Sequence, residues 1–323
     1  MRVEVAGEVF AEDGTGFEHI IMLMQYFAES RHEWVINFGD PDLVVGYFRQ
    51  HAPIRAQTYG LMAQKGLVSQ AWAGGEPRSR PVMITADSLT EHVEDLGRPA
   101  QVVVENQQSD RAFVLALAHV FATDKIVEAD EKGWLEFAQA GGSGEVPKVV
   151  AAERARFRRV ARVAFLLDSD RMVPGSTSKH EKTADGLRDL GVPGHVLVFR
   201  EAENYVPNKI LAAVSGLTRA ELAKRIAHLK DLTPDQRAYF DFKTGFWNKK
   251  KCCLEISPEQ QELYESLSER MVQGLGAGFG EKLSRLLERE AKAGNLQESD
   301  FAALGSGVCE ELRGLLALLR EIV

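Results

Sequence analysis

The sequence predicts an α/β protein in which a parallel sheet is flanked by helices, with an N-terminal α+β region before it and a C-terminal helical appendage after it. Three segments in the middle of the chain carry this prediction: QVVVE ending at Glu105, RVAFLLD ending at Asp168, and HVLVFR ending at Arg200. Each is apolar nearly throughout, which is typical of strands covered on both faces. Stretches with helical character separate them, as expected for parallel strands joined by helices.

Length and charge divide the chain into three parts. Its 323 residues exceed one average domain. Residues 99–250 carry a net charge of +3, whereas residues 1–98 carry −6 and residues 251–323 carry −5. We therefore expect an N-terminal region at 1–98 of unknown role, a catalytic α/β domain at 99–250, and a helical C-terminal region at 251–323. The middle part is the best suited to contact an anionic partner.

Outside the three apolar segments the patterns are structural rather than catalytic. Alternation of apolar and polar residues at 1–9 predicts a strand. Thr218 and Thr233 each stand three residues before a Glu or Gln, which is the pattern of a capped helix start. Ser257 before a proline repeats that signal, and the spaced leucines after it predict a long helical tail.

Several classes of protein are disfavoured by the composition. The chain has no apolar run of eighteen residues and no apolar segment near its start that resembles a secretory signal. Its three cysteines, Cys252, Cys253 and Cys309, lack the spacing of a zinc site or a disulfide framework. We therefore expect a cytoplasmic protein with no membrane association.

Acidic residues follow each of the three predicted strands. Glu105 ends the first, Asp168 and Asp170 follow the second, and Glu201 and Glu203 follow the third. Ligands of open parallel sheets bind beyond the carboxyl ends of the strands. Side chains two residues apart in an extended chain point to the same side, so the two aspartates are expected to face one pocket if the extended conformation continues.

Such a cluster of acids predicts a metal site. Carboxylates held together repel each other, which makes their joint ionisation costly. Mg²⁺ and Mn²⁺ prefer oxygen ligands and remove that cost. A metal held there can activate water for phosphodiester cleavage. For any single acid, the alternative is a side chain that caps a helix or faces water.

The order of these motifs resembles a TOPRIM domain, the metal-binding module of topoisomerases, primases and several nucleases. The stretches VVVENQQSDRAFVLAL and VAFLLDSDR supply a glutamate after one strand and an Asp-x-Asp after a later one. AGGSGEVPKVV, REAENYVP and FDFKTGF make the chain similar to nucleases of the overcoming-lysogenisation-defect type and related anti-phage proteins. The resemblance covers residues 99–250. Asn106 departs from it, because the family usually has glycine after the first acid, and Asp110 lies later than usual.

The resemblance implies a set of site residues. The catalytic set is Glu105, Asp168, Asp170, Glu203 and Lys243. The metal ligands are Glu105, Asp168, Asp170 and Glu203, assisted by Asp110, and they would hold two Mg²⁺ or Mn²⁺ ions. Lys243 would stabilise charge that develops on phosphate. The alternatives are a surface role for Lys243 and, for Asp110, an acid that interacts with a helix dipole.

A run of arginines predicts the nucleic-acid contact. Arg154, Arg158 and Arg162 are spaced by four and would share one face of a helix, where they could contact phosphates without reading bases. Arg171, directly after the aspartate pair, completes the predicted set. A solvated helix face is the alternative.

We therefore expect a metal-dependent nuclease that cleaves DNA or RNA, in keeping with an effector of anti-phage defence. No GxxxxGK[ST] motif occurs in the chain, so the resemblance implies a separately encoded ATPase partner. A homo-oligomer is also expected. One alternative is a catalytically degenerate binding or regulatory subunit of the same fold, which Asn106 favours. Another is a phosphotransfer enzyme, for which no nucleotide-binding motif is found.

Overall fold

The computed structural model describes residues 1–10, 14–72, 80–248 and 250–323. It confirms an α/β protein whose parallel sheets are flanked by helices. The strands are β1 (Arg2–Val5), β2 (Glu33–Val35), β3 (Val82–Ile84), β4 (Ala100–Val104), β5 (Leu135–Gln139), β6 (Val163–Leu167), β7 (Gly194–Val196), β8 (Trp247–Asn248) and β9 (Cys253–Leu254).

Fifteen α-helices are present in the described part of the chain. They are α1 (Phe17–Ala28), α2 (Asp40–His51), α3 (Pro53–Trp72), α4 (Leu89–Gly97), α5 (Gln107–Val120), α6 (Asp124–Glu131), α7 (Val146–Arg154), α8 (Glu181–Asp189), α9 (Arg219–Lys230), α10 (Pro234–Ala238), α11 (Gln261–Tyr264), α12 (Glu269–Gly274), α13 (Leu283–Lys292), α14 (Glu298–Ala302) and α15 (Val308–Ile322). None of these helices is both long enough and apolar enough to cross a membrane.

The N-terminal region has its own sheet and its own core. Strands β1, β2 and β3 form a parallel sheet in the order β2-β1-β3. The predicted α+β character of 1–98 is therefore wrong, since helices connect parallel strands there as they do in an α/β unit. The sequence shows the alternation of Val3 and Val5 in β1, but three-residue partner strands leave no periodic signal of their own.

The second sheet has four parallel strands in the order β5-β4-β6-β7. Strands β4 and β6 are buried at every position, as their apolar sequences predict. Alternate residues point to opposite faces. Val102 and Leu166 contribute to the large core on the side of α5, whereas Val103 and Phe165 pack on the side of α7 and α8.

The third apolar segment is a shorter strand than predicted. Regular pairing with β6 ends at Val196. Beyond it, the hydroxyl oxygen of Tyr205 accepts hydrogen bonds from the backbone N–H groups of Val198 and Phe199, at 3.1 and 3.0 Å. Glu311 Oε1 also accepts from Val198 N, at 2.8 Å. These side chains from distant segments take the place of a strand partner, so the chain turns out of the sheet before Arg200.

The C-terminal region is helical but is not an appendage. Leu283 and Leu287 of α13 and Leu312 of α15 belong to the same buried core as α5 and the four-stranded sheet. The predicted long helix is divided into short ones. Ser257 opens a 3₁₀ turn that leads directly into the short helix α11. The side-chain amide of Gln260 in that turn donates to the carbonyl oxygens of Met172 and Tyr239, at 2.8 and 2.9 Å.

The two other predicted helix starts are confirmed. Thr218 Oγ1 accepts from Glu221 N while the glutamate carboxylate accepts from Thr218 N. Thr233 and Gln236 make the same reciprocal pair at the start of α10. Each pair satisfies backbone donors that the first helical turn leaves without a partner.

Candidate metal-binding and catalytic site

The acids predicted to form a site gather at one edge of the four-stranded sheet. Strands β4 and β6 are parallel neighbours, so the residues that follow them, Glu105 and Asp168, lie at the same edge. The segment after β7 brings Glu201 and Glu203 to that edge, and a later turn brings Lys243. At this edge the side chains of the site form two groups.

The first, which we call the His180 group, consists of Glu105, Asp170 and His180. One ligand atom from each lies within 4.8 Å of the other two. His180 Nε2 is 3.0 Å from Asp170 Oδ2 and 3.9 Å from Glu105 Oε1. The ammonium of Lys179 is 2.6 Å from the same Asp170 oxygen. Two carboxylates and an imidazole thus converge on one point.

The loop from Ser169 to His180 holds this geometry. Asp170 has a φ of 50°, in the left-handed region, and its backbone N–H donates to Arg200 O at 3.0 Å. Ser178 Oγ donates to Ser169 O at 2.7 Å and accepts from His180 N at 3.1 Å. The left-handed residue ends the extended conformation, so Asp170 turns toward His180 while Asp168 contacts other residues.

The second, the Lys243 group, consists of Asp168, Glu201, Glu203 and Lys243. The Lys243 ammonium is 3.2 Å from Glu201 Oε2 and 3.3 Å from Glu203 Oε1. Asp168 Oδ1 accepts from the backbone N–H of Ala202 at 3.0 Å. Glu203 is almost fully buried, with 2% of its surface exposed. Lys243 is therefore a half-buried partner of the acids and not a free surface lysine.

A rigid turn positions Lys243. Asp241 Oδ1 accepts from the backbone N–H groups of Lys243 and Thr244, at 3.0 and 2.7 Å. Gly245 has a φ of 63°, and a Cβ atom there would lie 1.9 Å from the carbonyl oxygen of Leu275. Only glycine allows this close approach, which fixes the turn against the C-terminal helices.

Asn106, the departure from the family pattern, caps helix α5. Its Oδ1 accepts from the backbone N–H groups of Gln108 and Ser109, at 3.1 and 3.3 Å. Asp110 Oδ2 in turn accepts from Asn106 N at 2.9 Å. Asparagine is among the best capping residues. The first turn of α5 is therefore anchored directly after Glu105, and Asp110 is held there as a helix-terminal acid.

Burial and mutual repulsion raise the pKa of most of these acids. Burial, followed by the charges of Asp110 and Glu203, raises the pKa of Asp168 well above its usual value. Burial raises the pKa of Glu203 to about 6, although Lys243 opposes the shift. Burial also raises the pKa of Glu105, with Asp170 adding to it, and the pKa of Asp110. Full ionisation of the site at neutral pH requires additional positive charge.

The pKa values of two residues shift in the direction that favours the charged form. Burial alone would raise the pKa of Asp170, but hydrogen bonds from Lys179 and His180 outweigh it and lower the pKa. Burial alone would lower the pKa of Lys243, but Glu203, Glu201 and Asp168 raise it above its usual value. The site therefore holds one firmly ionised aspartate and one firmly protonated lysine.

The residues present fit a divalent cation. Glu105 Oε1 is buried and has no hydrogen-bond donor within the described part of the chain. A buried carboxylate oxygen without a donor carries a desolvation cost that a cation would remove. In the Lys243 group, the ammonium of Lys243 lies 3.2 Å from the buried Glu201 Oε2 and supplies part of that positive charge.

His180 is the site residue that the sequence analysis missed. It belongs to no histidine motif, and its only signal is a position at the start of a helix ten residues after Asp170. Glu201 was recognised as an acid near a strand end but was not assigned a role. Both are brought to the site by loops, which leave no periodic pattern in the sequence.

The predicted arginine face is wrong. Helix α7 ends at Arg154, and the backbone N–H groups of Arg158, Arg159 and Val160 donate to the buried carboxylate of Asp95, at 2.7 to 3.1 Å. These residues cannot be helical while their N–H groups point at one side chain. Arg154 and Arg158 therefore do not share a helix face.

Arg162 and Arg171 also differ from the expected free cations. Arg162 is fully buried and donates to the backbone carbonyl oxygens of Leu96, Arg98 and Ile322, at 2.7 to 2.9 Å. It cannot reach a phosphate. Arg171 is partly exposed, and its Nη2 lies 3.7 Å from a carboxylate oxygen of Glu181.

No protein-family model, curated protein or solved structure matches this chain. The structure establishes an α/β protein with parallel sheets flanked by helices. The resemblance to TOPRIM nucleases therefore stays a prediction from the motifs quoted above, and the functional argument rests on the chemistry of the side chains.

Proposed function

We propose that this chain is a divalent-metal-dependent nuclease that hydrolyses phosphodiester bonds in DNA or RNA. The observation that carries the proposal is the meeting of acids from three strand ends with a half-buried lysine at one sheet edge. Parallel sheets place their ligand sites at this edge. Raised pKa values at Asp168 and Glu203 support a cation there, because they mark buried carboxylates whose desolvation Lys243 offsets only in part.

Each group would hold one of two ions. Glu105, Asp170 and His180 would supply the ligands of one ion. Asp168, Glu201 and Glu203 would supply the ligands of the other, assisted by Asp110. A bound Mg²⁺ or Mn²⁺ would activate water and neutralise charge on the scissile phosphate. Lys243 would act beside it as a fixed positive charge opposite the negative charge that develops on phosphate. Its rigid turn makes it preorganised for that role.

The broader biological role follows from the resemblance alone. In that setting we propose a cytoplasmic effector of anti-phage defence, able to form homo-oligomers and to work with a separately encoded ATPase. Recovery of an ATPase with the tagged protein from native cells would support this part of the proposal. Recovery of none, from cells in which the nuclease is active, would remove the ATPase from it.

The test is cleavage of plasmid DNA, single-stranded DNA and total tRNA in Mg²⁺ or Mn²⁺ by wild type and Asp170→Asn. Asparagine tolerates the left-handed backbone of position 170 and keeps the shape of the side chain while removing its charge. We expect cleavage by wild type, reduced at least about a hundredfold in the variant because a metal ligand is lost. The substrate that is cut identifies the nucleic-acid class.

The matched control is Asp189→Asn, an exposed carboxylate at the end of α8. It makes the same chemical change outside the site and should cut as wild type does. If wild type cuts nothing although it binds metal, a missing partner becomes the working hypothesis. Cleavage that survives Asp170→Asn undiminished would refute the assignment of the site.

A second candidate function is a binding or regulatory subunit that does not cleave. The specific observation in its favour is that Lys179 and Lys243 already supply positive charge to the two groups. Lysines in place of metals would keep the fold while abolishing the chemistry. Calorimetric titration with Mn²⁺ separates the two functions, because the degenerate site would bind no ion in the range where a nuclease site does.

His180 should control the choice of metal. An imidazole nitrogen suits Mn²⁺ and later transition metals better than Mg²⁺, which prefers oxygen. We expect His180→Gln to weaken Mn²⁺ binding by roughly ten- to a hundredfold and Mg²⁺ binding by less. Parallel titrations of the two ions measure the ratio. Equal losses for both ions would mean that His180 only orients Asp170 by its hydrogen bond.

A further inference from the structure

A cavity of about 710 Å³ lies beside the candidate site, between the segment that follows the 3₁₀ turn Asn208–Ala213 and helix α13. We call it the α13 cavity. Val214 and Gly216 line one wall, and Phe279 and Leu286 contribute apolar surface. Phe279 and Leu286 are largely buried, so the cavity has a firm apolar floor.

Three cations line the same cavity. Lys282, Arg285 and Arg289 are exposed, and their spacing of three and four places them along one side of α13. Glu281 also lines the cavity, and the guanidinium of Arg289 is paired with Glu290 at 2.7 Å. Lys282 has no ion-pair partner among the described residues. Arg285 donates to the neutral side-chain oxygen of Gln108, so its charge is not cancelled.

The α13 cavity is joined to the candidate site on two sides. Gln108, which Arg285 contacts, stands in the first turn of α5, three residues after Glu105. On the other side, Phe279 N donates to Phe242 O at 2.7 Å, directly before Lys243. The segments next to one acid of the His180 group and to the lysine of the Lys243 group therefore contact residues that line this cavity.

An apolar floor with a row of cations fits one kind of ligand, a nucleic-acid strand. Phosphates would meet the exposed side chains of α13, and an unstacked base would contact the apolar surface around Phe279. A nucleic-acid strand that crosses the candidate site must continue beyond it on one side or the other. The α13 cavity is the side that offers unpaired positive charge.

We propose that the α13 cavity holds the nucleic-acid strand next to the bond that is cleaved, with Lys282 and Arg285 on its phosphates. This inference rests on the proposed nuclease function and adds the path of the substrate. It replaces the arginine run of 154–162 as the main phosphate contact. Arg154 belongs to α7, which packs on the opposite face of the sheet from α5 and α13.

The test is binding of a short fluorescent oligonucleotide, single-stranded or duplex, measured by anisotropy over a range of salt concentrations. Two proteins are compared. Both carry Asp168→Asn to prevent cleavage, and one of them also carries Lys282→Glu and Arg285→Glu, the double reversal. We expect the double reversal to weaken binding roughly tenfold or more and to reduce the slope against salt by about two for duplex, since each phosphate contact contributes about one. Mn²⁺ affinity, measured without Asp168→Asn, should stay unchanged.

The control is the charge-matched pair Lys65→Glu and Arg320→Glu, exposed residues away from the cavity. It should leave binding and the salt slope nearly as before. Equal losses in control and test would overturn the assignment, as would a double reversal without effect. If AMP displaces the labelled strand as well as the unlabelled strand does, the cavity is a mononucleotide site and the strand assignment fails.

The outcomes separate this inference from the nuclease proposal. Metal-dependent cleavage with unchanged binding in the double reversal overturns the strand path and leaves the nuclease standing. Loss of binding in the double reversal, from a wild type that never cleaves, supports the strand path and removes the nuclease activity.

Discussion

Replacing Asp168 by asparagine should stabilise the metal-free protein at neutral pH while reducing its stabilisation by metal. Asp168 lies among Asp110, Glu201 and Glu203, and its pKa is raised well above normal by burial and by these charges. Asparagine keeps an oxygen that can accept from Ala202 N. It removes the charge that is costly to bury.

The pH dependence has a definite sign. Glu203 has a pKa of about 6 in the folded chain against 4.5 in the unfolded one, and Asp168, Asp110 and Glu105 are raised as well. A raised carboxyl pKa means that the folded state holds its proton more tightly. Its stabilising contribution is complete below pH 4.5 and is lost as the pH rises through about 6. Lys243 stays protonated over this range and contributes a constant amount.

Denaturation in chelator at several pH values measures this effect. We expect wild type to lose stability between pH 4.5 and pH 7. Asp168→Asn should lose less and be the more stable protein at pH 7, because it lacks the carboxylate that burial penalises. Adding Mn²⁺ at pH 7 should stabilise wild type more than the variant, which keeps only the ion site of the His180 group. Asp189→Asn is the control. A variant that is less stable than wild type in chelator at pH 7 would contradict the proposed repulsion.

Replacing Arg162 should strongly lower the free energy of unfolding of the protein, without any direct effect on nucleic-acid binding. Its guanidinium is fully buried and donates to carbonyl oxygens at the end of α4 and at the end of α15. It thereby joins the N-terminal region, strand β6 and the C-terminal helix. Burial, followed by the charge of Arg31, lowers its pKa to about 9, so it remains protonated at neutral pH.

Both Arg162→Met and Arg162→Lys should be destabilised by about 3 kcal/mol or more. Methionine leaves the carbonyl oxygen of Ile322 without its side-chain donor and removes one of two side-chain donors from Leu96 O and Arg98 O. An unsatisfied buried polar group costs about 1–3 kcal/mol. Lysine keeps the charge but cannot reproduce the planar fork of donors. The control Arg154→Met changes an exposed residue and should fall within about 0.5 kcal/mol of wild type. Denaturant titration gives the values.

The contrary outcome is equally clear. If Arg162→Met were as stable as wild type and bound nucleic acid more weakly, the residue would be a phosphate contact, as the spacing of the arginines first indicated. Loss of binding only in proportion to unfolded protein would agree with the structural role.

Local patterns in the sequence predict part of this architecture. The apolar runs that become β4 and β6 need burial on both faces, so their composition alone predicts a parallel sheet. The reciprocal caps at Thr218 and Thr233 involve residues three apart, which makes them visible in sequence. The location of acids directly after strands is also predictable, because the direction of a strand decides which edge of the sheet its last residues reach.

Other features depend on contacts between distant residues and were not predictable. The third strand ends early because Tyr205 and Glu311 accept its N–H groups, and α7 ends early because Asp95 accepts the N–H groups after it. His180 reaches the acids only through a loop held by Ser178.

The sequence by itself therefore determined the α/β class, the central strands and the acids Glu105, Asp168 and Asp170 that follow them, since each depends on periodicity or on immediate neighbours. The tertiary structure decided which acids group together, that His180 joins them, and that Arg162 is buried while α13 presents free cations. Those outcomes depend on hydrogen bonds and burial between segments far apart in the chain, and the free energy of such contacts outweighs local preference.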